Sequence, residues 1–191
     1  AIPMAPVRSH YWITVPDARF PTDMPFAILP DARAYARAEV GGLLFGFREA
    51  QSIHADPREI PEDLQAHVVA GDAHGWEALE EGGMAFRRFF PAIEDVEIAH
   101  YVSGYSTYVP DGLLSIGALP DPAGLYSAAG CSGAGLAMAG GAGKALAELI
   151  TGASATFDLT PHDPGRFGSF DPFTAAWGRR CALARSGKTT G

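Results

Sequence analysis

Two residue types are scarce in this 191-residue chain. There are two cysteines, Cys131 and Cys181, and two lysines, Lys144 and Lys188. A lone pair of cysteines in a chain this long excludes a disulfide framework and fits a reducing compartment, so the expected location is the cytoplasm. No apolar run approaches the roughly 20 residues that span a bilayer, which excludes a membrane helix. Positive charge is in deficit as well, with 14 Lys plus Arg against 22 Asp plus Glu and a net charge of −8. That balance argues against a nucleic-acid binder, which would carry a basic surface. Metal motifs are missing too. None of the six histidines pairs as H-x-x-x-H or stands beside C-x-x-C, so no metal is expected.

What the chain has is glycine (23) and proline (15), about a fifth of all residues against a usual ~12%. Turns and extended segments should dominate, with few long helices. Hydrophobic residues at 47% and charged residues at 19% exclude intrinsic disorder and allow one domain or two small ones. The opening AIPMAPVRSHYWITVP has no initiator Met and no signal-peptide layout, and residues 10–15 alternate like a strand already under way. The expectation is a piece of something larger.

Alternation at Tyr11, Ile13 and Val15 predicts a strand closed by the turn pair Pro16-Asp17. A proline-punctuated loop follows (Pro21, Pro25, Pro30). Residues 34–39 and 42–48, joined through Val40-Gly41-Gly42, read as a hairpin. Residues 72–90 read as a helix with an approximate apolar stripe, and 96–103, 113–116 and 125–129 as strands. His10 and His100, on predicted strands, are the histidines expected inside. The best-defined element is the turn Gly130-Cys131-Ser132-Gly133-Ala134-Gly135 and the helix after it, 137–150, with Leu146, Leu149 and Ile150 as its packing face and an end near Gly152. Beyond Thr160 the composition turns to Pro, Asp and Gly, and 179–188 reads as a basic, exposed tail. The fold class is α+β, with mostly antiparallel strands and one strand–turn–helix unit.

A strand, a glycine turn and a helix start make a natural anion or cofactor site, because free N–H groups and the helix dipole converge there. Neither standard phosphate loop fits. A P-loop ending at Gly143-Lys144 would need Gly at Met138 and Ser or Thr at Ala145. A dinucleotide fingerprint needs G-x-G-x-x-G, whereas this turn reads G-x-x-G-x-G. Close helix–strand packing explains the glycines equally well. Ser132 lacks a G-x-S-x-G elbow, and Cys131 reads as buried small-residue packing rather than an activated thiol. From these residues alone the chain holds a cofactor or anion near residue 132.

Five stretches taken together carry a resemblance. Residues 128–152, AAGCSGAGLAMAGGAGKALAELITG, resemble the C-terminal flavin-binding segment of the D-amino-acid oxidase superfamily, in its glycine-oxidase, sarcosine- and dimethylglycine-dehydrogenase branch. PVRSHYWITVP (6–16), PDARAYARAEVGGLLFG (30–46), VSGYSTYVPDGLLSIG (102–117) and residues 156–168 are similar to four further motifs in the family's order. The resemblance implies an incomplete fold. Residues 1–100 would be part of a mostly antiparallel substrate-domain sheet. Residues 101–160 would return to a Rossmann-like FAD domain through its last strand and helix, and 161–191 would be a tail. The ADP-gripping half, an N-terminal FAD-binding half or partner subunit, would lie outside this chain.

The activity so implied is oxidation of the C–N bond of an amino acid or N-methyl glycine, with hydride passing to flavin N5. Gly130, Cys131, Ser132, Gly133, Ala134, Gly135 and Leu136 would face the pyrimidine edge of FAD, and Asp111 and Gly112 would pass close to the ring. Tyr35 and Arg37 are the implied substrate contacts, Arg37 by a bidentate grip on a carboxylate. The resemblance implies an active-site histidine that is either replaced here by Ser9 or shifted to His10, and His10 is the catalytic candidate beside Tyr35 and Arg37. Leu44 stands where oxidases of the group carry a lysine, which favours a dehydrogenase. The stretch Val102-Ser103-Gly104 offers no cysteine, which points to non-covalent FAD or to a link in the absent half. The alternative is a non-catalytic structural or interaction subunit that keeps the fold without flavin.

Overall fold

A computed structural model describes residues 1–64, 67 and 75–189. The strands are β1 (Ala5–Thr14), β2 (Ala27–Leu29), β3 (Ala34–Glu39), β4 (Gly42–Phe47), β5 (Ile98–Tyr108), β6 (Ser115–Ala118) and β7 (Tyr126–Ala129). The helices are α1 (Trp76–Phe86), α2 (Gly135–Thr151) and α3 (Ala175–Ser186). They fall into two compact units. One comprises Ala1–Val7, His54–Ile60 and Tyr105–Arg185, the other Arg8–Ile53, Pro61–Gly104 and Ser186–Gly191.

The unit beginning at Arg8 is a five-stranded sheet in the order β2-β3-β4-β1-β5. β2–β3, β3–β4 and β4–β1 are all antiparallel. The expected hairpin is present, and its two-residue turn holds Val40 at φ 45° and Gly41 at φ 83°. Positive φ at both positions matches the right-handed twist of the flanking strands. Register puts Trp12, Phe45 and Ala36 in one row and Ile13, Leu44 and Arg37 in the next, so the two rows face opposite sides. The first side is the core. Trp12 stacks on Phe45 at 5.7 Å between centroids, Phe45 stacks on Phe86 of α1 at 5.0 Å, and Ala34, Ala36 and Leu43 fill between them. Gly82 of α1 lies flat on the Phe47 ring, where a side chain would overlap it. The expected helix 72–90 is thus shorter at its far end, and its residues 72–74 lie outside the described residues. β2 lies within the expected proline loop, where Ala27–Leu29 pairs with Ala36–Ala34.

The other unit holds the antiparallel hairpin β6–β7, and α2 packs on it through Ala145, against Leu114 and Ile116. α2 ends where expected, with Gly152 as a left-handed cap at φ 69°. At 17 residues, however, it is longer than the glycine content suggested. Leu149 (38% exposed) and Ile150 (54%) are not its packing face. That role falls to Ala145, with Met138, Ala142 and Leu146 beside it.

The tail also differs from expectation. Residues 179–188 are not an exposed basic segment but largely helix α3, with Trp177, Cys181, Ala182 and Arg185 buried. Their recurrence at three and four residues makes one helical face, disguised in sequence by an arginine in that stripe. Trp177 stacks on Phe170 at 4.3 Å and donates its indole N–H to the Met4 carbonyl at 3.3 Å, and Ala5, Val7 and Tyr108 complete this cluster. His10 is buried as expected, but His100 is exposed, because the side of β5 that meets the core carries Tyr101 instead.

Candidate functional site

The glycine turn between β7 and α2 is built from left-handed residues, Gly130 (φ 69°), Ser132 (φ 50°) and Gly133 (φ 80°). Its backbone is tied to the end of β5. The Ser132 N–H donates to the Thr107 carbonyl at 2.9 Å, and a side chain at Gly130 would overlap Val109. The Ser132 hydroxyl turns inward to the Gly130 carbonyl at 3.3 Å, so it folds the turn and does not point outward. Gly135 passes close over Cys131, a half-buried free thiol. α2 then starts at Gly135, with no side-chain cap from Ala134 before it and no acidic residue in its first turn, and Leu136 stands 97% exposed at its head. The leading N–H groups of a helix have no intrahelical partner, and the dipole makes this end positive.

Asp111 and Gly112 lie just past the end of β5, on the segment that the turn is tied to. Gly112 is left-handed (φ 73°) with open space where a side chain would project. Asp111 is not free to meet a ligand. Arg166 forks onto it at 2.8 and 3.0 Å, and its carboxylate also accepts the Leu113 N–H at 3.0 Å. Burial alone would push this carboxyl up. The Arg166 guanidinium and the Leu113 N–H outweigh that and hold it below the usual carboxylate range.

The remaining three candidates lie in the five-stranded unit. Tyr35 and Arg37 share one side of β3, opposite the buried Ala34 and Ala36. Tyr35 lies flat across Gly46, where a Cβ would come within 2.5 Å of its hydroxyl, and Phe26 stacks alongside at 6.3 Å. Arg37 is paired at 2.5 Å with Glu39, two residues on and on the same side. His10 faces the other side, the core. Its Nε2 is 3.2 Å from Glu49, Glu49 also pairs with Arg8 at 3.4 Å, and all three are almost fully buried. Tyr35 and Arg37 are therefore brought together, and His10 is not with them. Sequence reasoning met Arg166 only as part of the 156–168 motif and gave it no role, and it passed over Glu39 and the pairing of Arg8 and His10 with Glu49. Glu39 had a local signal, the two-residue spacing that shares a strand face.

The turn suits an electron-rich cofactor edge on its own geometry. It has left-handed glycines without side chains, an uncapped helix start, no carboxylate in the first helical turn, and open space before Gly112. Among the described residues no His, Cys, Asp and Glu cluster could hold a metal, and no helix is long and apolar enough to cross a membrane. The chain is thus α+β, with a mostly antiparallel sheet and one strand–turn–helix unit.

Comparison with known proteins gives the family. The chain matches the FAD dependent oxidoreductase family over residues 1–149, and it belongs to that family. The resemblance drawn from five motifs is borne out, and the family is one of FAD dependent oxidoreductases. Rat (Rattus norvegicus) mitochondrial dimethylglycine dehydrogenase is 30% identical over 178 residues, 88% of this chain and 20% of that protein. The mouse (Mus musculus) mitochondrial pyruvate dehydrogenase phosphatase regulatory subunit is 29% identical over 171 residues, again 88% of this chain and 19% of that protein. Among solved structures, L-proline dehydrogenase from P. horikoshii superposes with a TM-score of 0.67 at 29% identity, covering 87% of this chain and 41% of that one. The chain thus spans about a fifth of these curated relatives and about two fifths of the solved one, and its fold is incomplete by that measure.

Proposed function

We propose that this chain is the later portion of a flavin-dependent amine oxidoreductase that oxidises a C–N bond of an amino acid or N-methylated glycine. One observation carries the reading. The uncapped start of α2 follows a turn of left-handed backbone, and the Ser132 N–H to Thr107 carbonyl bond and the close approach of Gly130 to Val109 tie that turn to the segment leading to the open Gly112. Bound FAD supplies the two-electron acceptance. In this reading the N–H groups at the head of α2 and the positive end of its dipole stabilise negative charge on the ring's pyrimidine edge. Tyr35 and Arg37 orient the substrate, with Arg37 exchanging Glu39 for the substrate carboxylate. His10, turned into the core against Glu49, supports the sheet that carries them. Leu44, between Ile13 and Arg37 in its row, puts no lysine at its own position, and we assign dehydrogenase rather than oxidase chemistry.

The partner is the first half of the FAD domain, in the same polypeptide or another. A groove of about 590 Å3 beside α2, lined by Leu114, Ile116, Met138, Ala145, Phe157 and His162, is the surface we assign to it. Purification with that half and a visible spectrum test the reading. A yellow protein bleached by sarcosine, dimethylglycine or a D-amino acid is expected, and a colourless one refutes it. A second reading, an interaction subunit without flavin, is favoured by the relative named a phosphatase regulatory subunit. Stable assembly with the first half but no flavin uptake would select it.

A further inference from the structure

The short 3-10 turn Pro164–Phe167 does something that neither the sheet nor the glycine turn requires. Its Arg166 reaches back 55 residues to Asp111 with a two-pronged grip, Nε to Oδ2 at 2.8 Å and Nη2 to Oδ1 at 3.0 Å. The same Nη2 donates to the Leu113 carbonyl at 3.1 Å, and Nη1 donates to the Asp163 carbonyl at 3.0 Å. Four residues earlier, His162 Nδ1 donates to the Leu114 carbonyl at 2.7 Å. The guanidinium also lies over the Phe167 ring at 4.5 Å, and its side chain is only 13% exposed. Asp111, Leu113 and Leu114, on either side of Gly112, are thus all held by side chains from residues 162–166. Gly112 itself is left-handed, with nothing within 4 Å of where a side chain would be. A loop centred on such a glycine has many other conformations open to it, and ordering it on binding would weaken the affinity of whatever it contacts.

We infer that Arg166 is a positioning residue for the cofactor: by forking onto Asp111 and the Leu113 carbonyl it holds Pro110–Leu113 in the shape that presents the open backbone of Gly112 to the flavin. This rests on the flavoprotein reading above. The planar fork is what the geometry uses, because two prongs and two carbonyl contacts converge on one side chain. A lysine supplies the charge but not the fork. The closing segment of the chain therefore sets how firmly the ring is held, although it contributes no atom to the ring's surroundings.

The test compares the parent with Arg166→Lys and Arg166→Ala, first without flavin and then loaded with FAD in the presence of the first half. Without flavin, hydrogen exchange of residues 108–114 should quicken in both variants while α2 and the five-stranded unit keep parental protection. With FAD, the dissociation constant should rise about tenfold, the change that ~1.4 kcal/mol represents, and the visible bands of the bound flavin should lose their parental shape. Lysine should rescue thermal stability but neither the loop exchange nor the spectrum. Parental loop exchange or parental FAD affinity in Arg166→Ala overturns the inference and leaves the flavoprotein reading standing. Protection lost evenly across the later unit in both variants makes Arg166 a fold-stabilising residue only, which also overturns it. A parent that takes up no FAD overturns the flavoprotein reading, and this inference with it.

Discussion

Replacing Gly130 with alanine puts a methyl group where Val109 already stands, and the cost can be separated into two parts. The first is conformational. Gly130 sits at φ 69°, where an L residue is disfavoured by about 1–2 kcal/mol. The second is steric. The new Cβ would overlap Cγ2 of Val109, a fully buried side chain, with the Val109 Cβ only 3.6 Å away and Met4 Cβ at 3.7 Å on another side. Relief requires moving Val109 or parting the turn from β5, and overpacking of this kind costs about 1–3 kcal/mol. The total is therefore about 2–5 kcal/mol, a large share of the ~5–15 kcal/mol that holds a domain together.

Gly152 provides a matched control. It has the same φ of 69°, and nothing lies within 4 Å of the position its Cβ would take. Gly152→Ala should lose only the conformational part, about 1–2 kcal/mol. At roughly 2–4 °C per kcal/mol for a chain of this length, the melting temperature of Gly130→Ala should fall further than that of Gly152→Ala by several degrees. Calorimetry or far-UV circular dichroism on the two variants measures the difference directly. Equal losses would refute the reasoning, because they would mean that Val109 makes room freely and the turn is not clamped to β5.

Four further outcomes follow from the same structure. Gly133→Val, at φ 80° in the turn, should abolish flavin retention by the assembled protein while leaving the fold intact, and normal flavin content in the variant would reduce the turn to packing alone. Val40→Asn should stabilise by about 1 kcal/mol, since a β-branched residue at φ 45° and 87% exposed loses no burial in exchange for relief; an unchanged melting temperature would show the turn to be unstrained. Glu148 accepts from Lys144 and from both the hydroxyl and N–H of Thr156, which hold its carboxyl down at about 2 from an ordinary 4.5. A depressed carboxylate contributes above its unfolded value and is lost as pH falls through its folded one, so the Thr156 amide resonance should titrate near pH 2, and a midpoint near 4.5 would remove this staple. Burial pushes the Cys181 thiol up to about 12, so it should resist a disulfide-exchange reagent at pH 8 until the chain is unfolded; two thiols reacting in the native state would contradict its placement.

Local signals in the sequence were readable where geometry is local. The hairpin at 34–47 was legible because Val40-Gly41-Gly42 separates two short extended runs, and the cap of α2 because Gly152 follows its last turn. β2 was hidden because three residues among prolines carry no period, and their strand character comes entirely from pairing with β3. α3 was hidden because its buried stripe contains Arg185, a residue that periodicity counts as exposed. The outward-facing Leu149 and Ile150 were misread because α2 meets its hairpin through alanine, which pattern reading undervalues beside leucine.

The candidate site divides along the same line. The turn at 130–136 announces itself because left-handed backbone selects glycine, and that selection is visible one residue at a time. Tyr35 and Arg37 could be placed on one side of a strand by parity alone, yet the occupancy of that side could not, because Glu39 and Gly46 matter only once the register brings Gly46 beneath Tyr35. His10 shows the limit of parity most clearly. Ser9 and His10 differ by one position, and one position in a strand is the difference between the open side and the core. The structure puts His10 with Trp12 on the core side, against Glu49, so a histidine acting on substrate from Tyr35's side would have to stand at Ser9. Ser9→His is therefore the substitution that would bring an imidazole to the side on which Tyr35 and Arg37 lie, and a pH-dependent change in substrate oxidation confined to that variant would confirm which side of the sheet the chemistry uses.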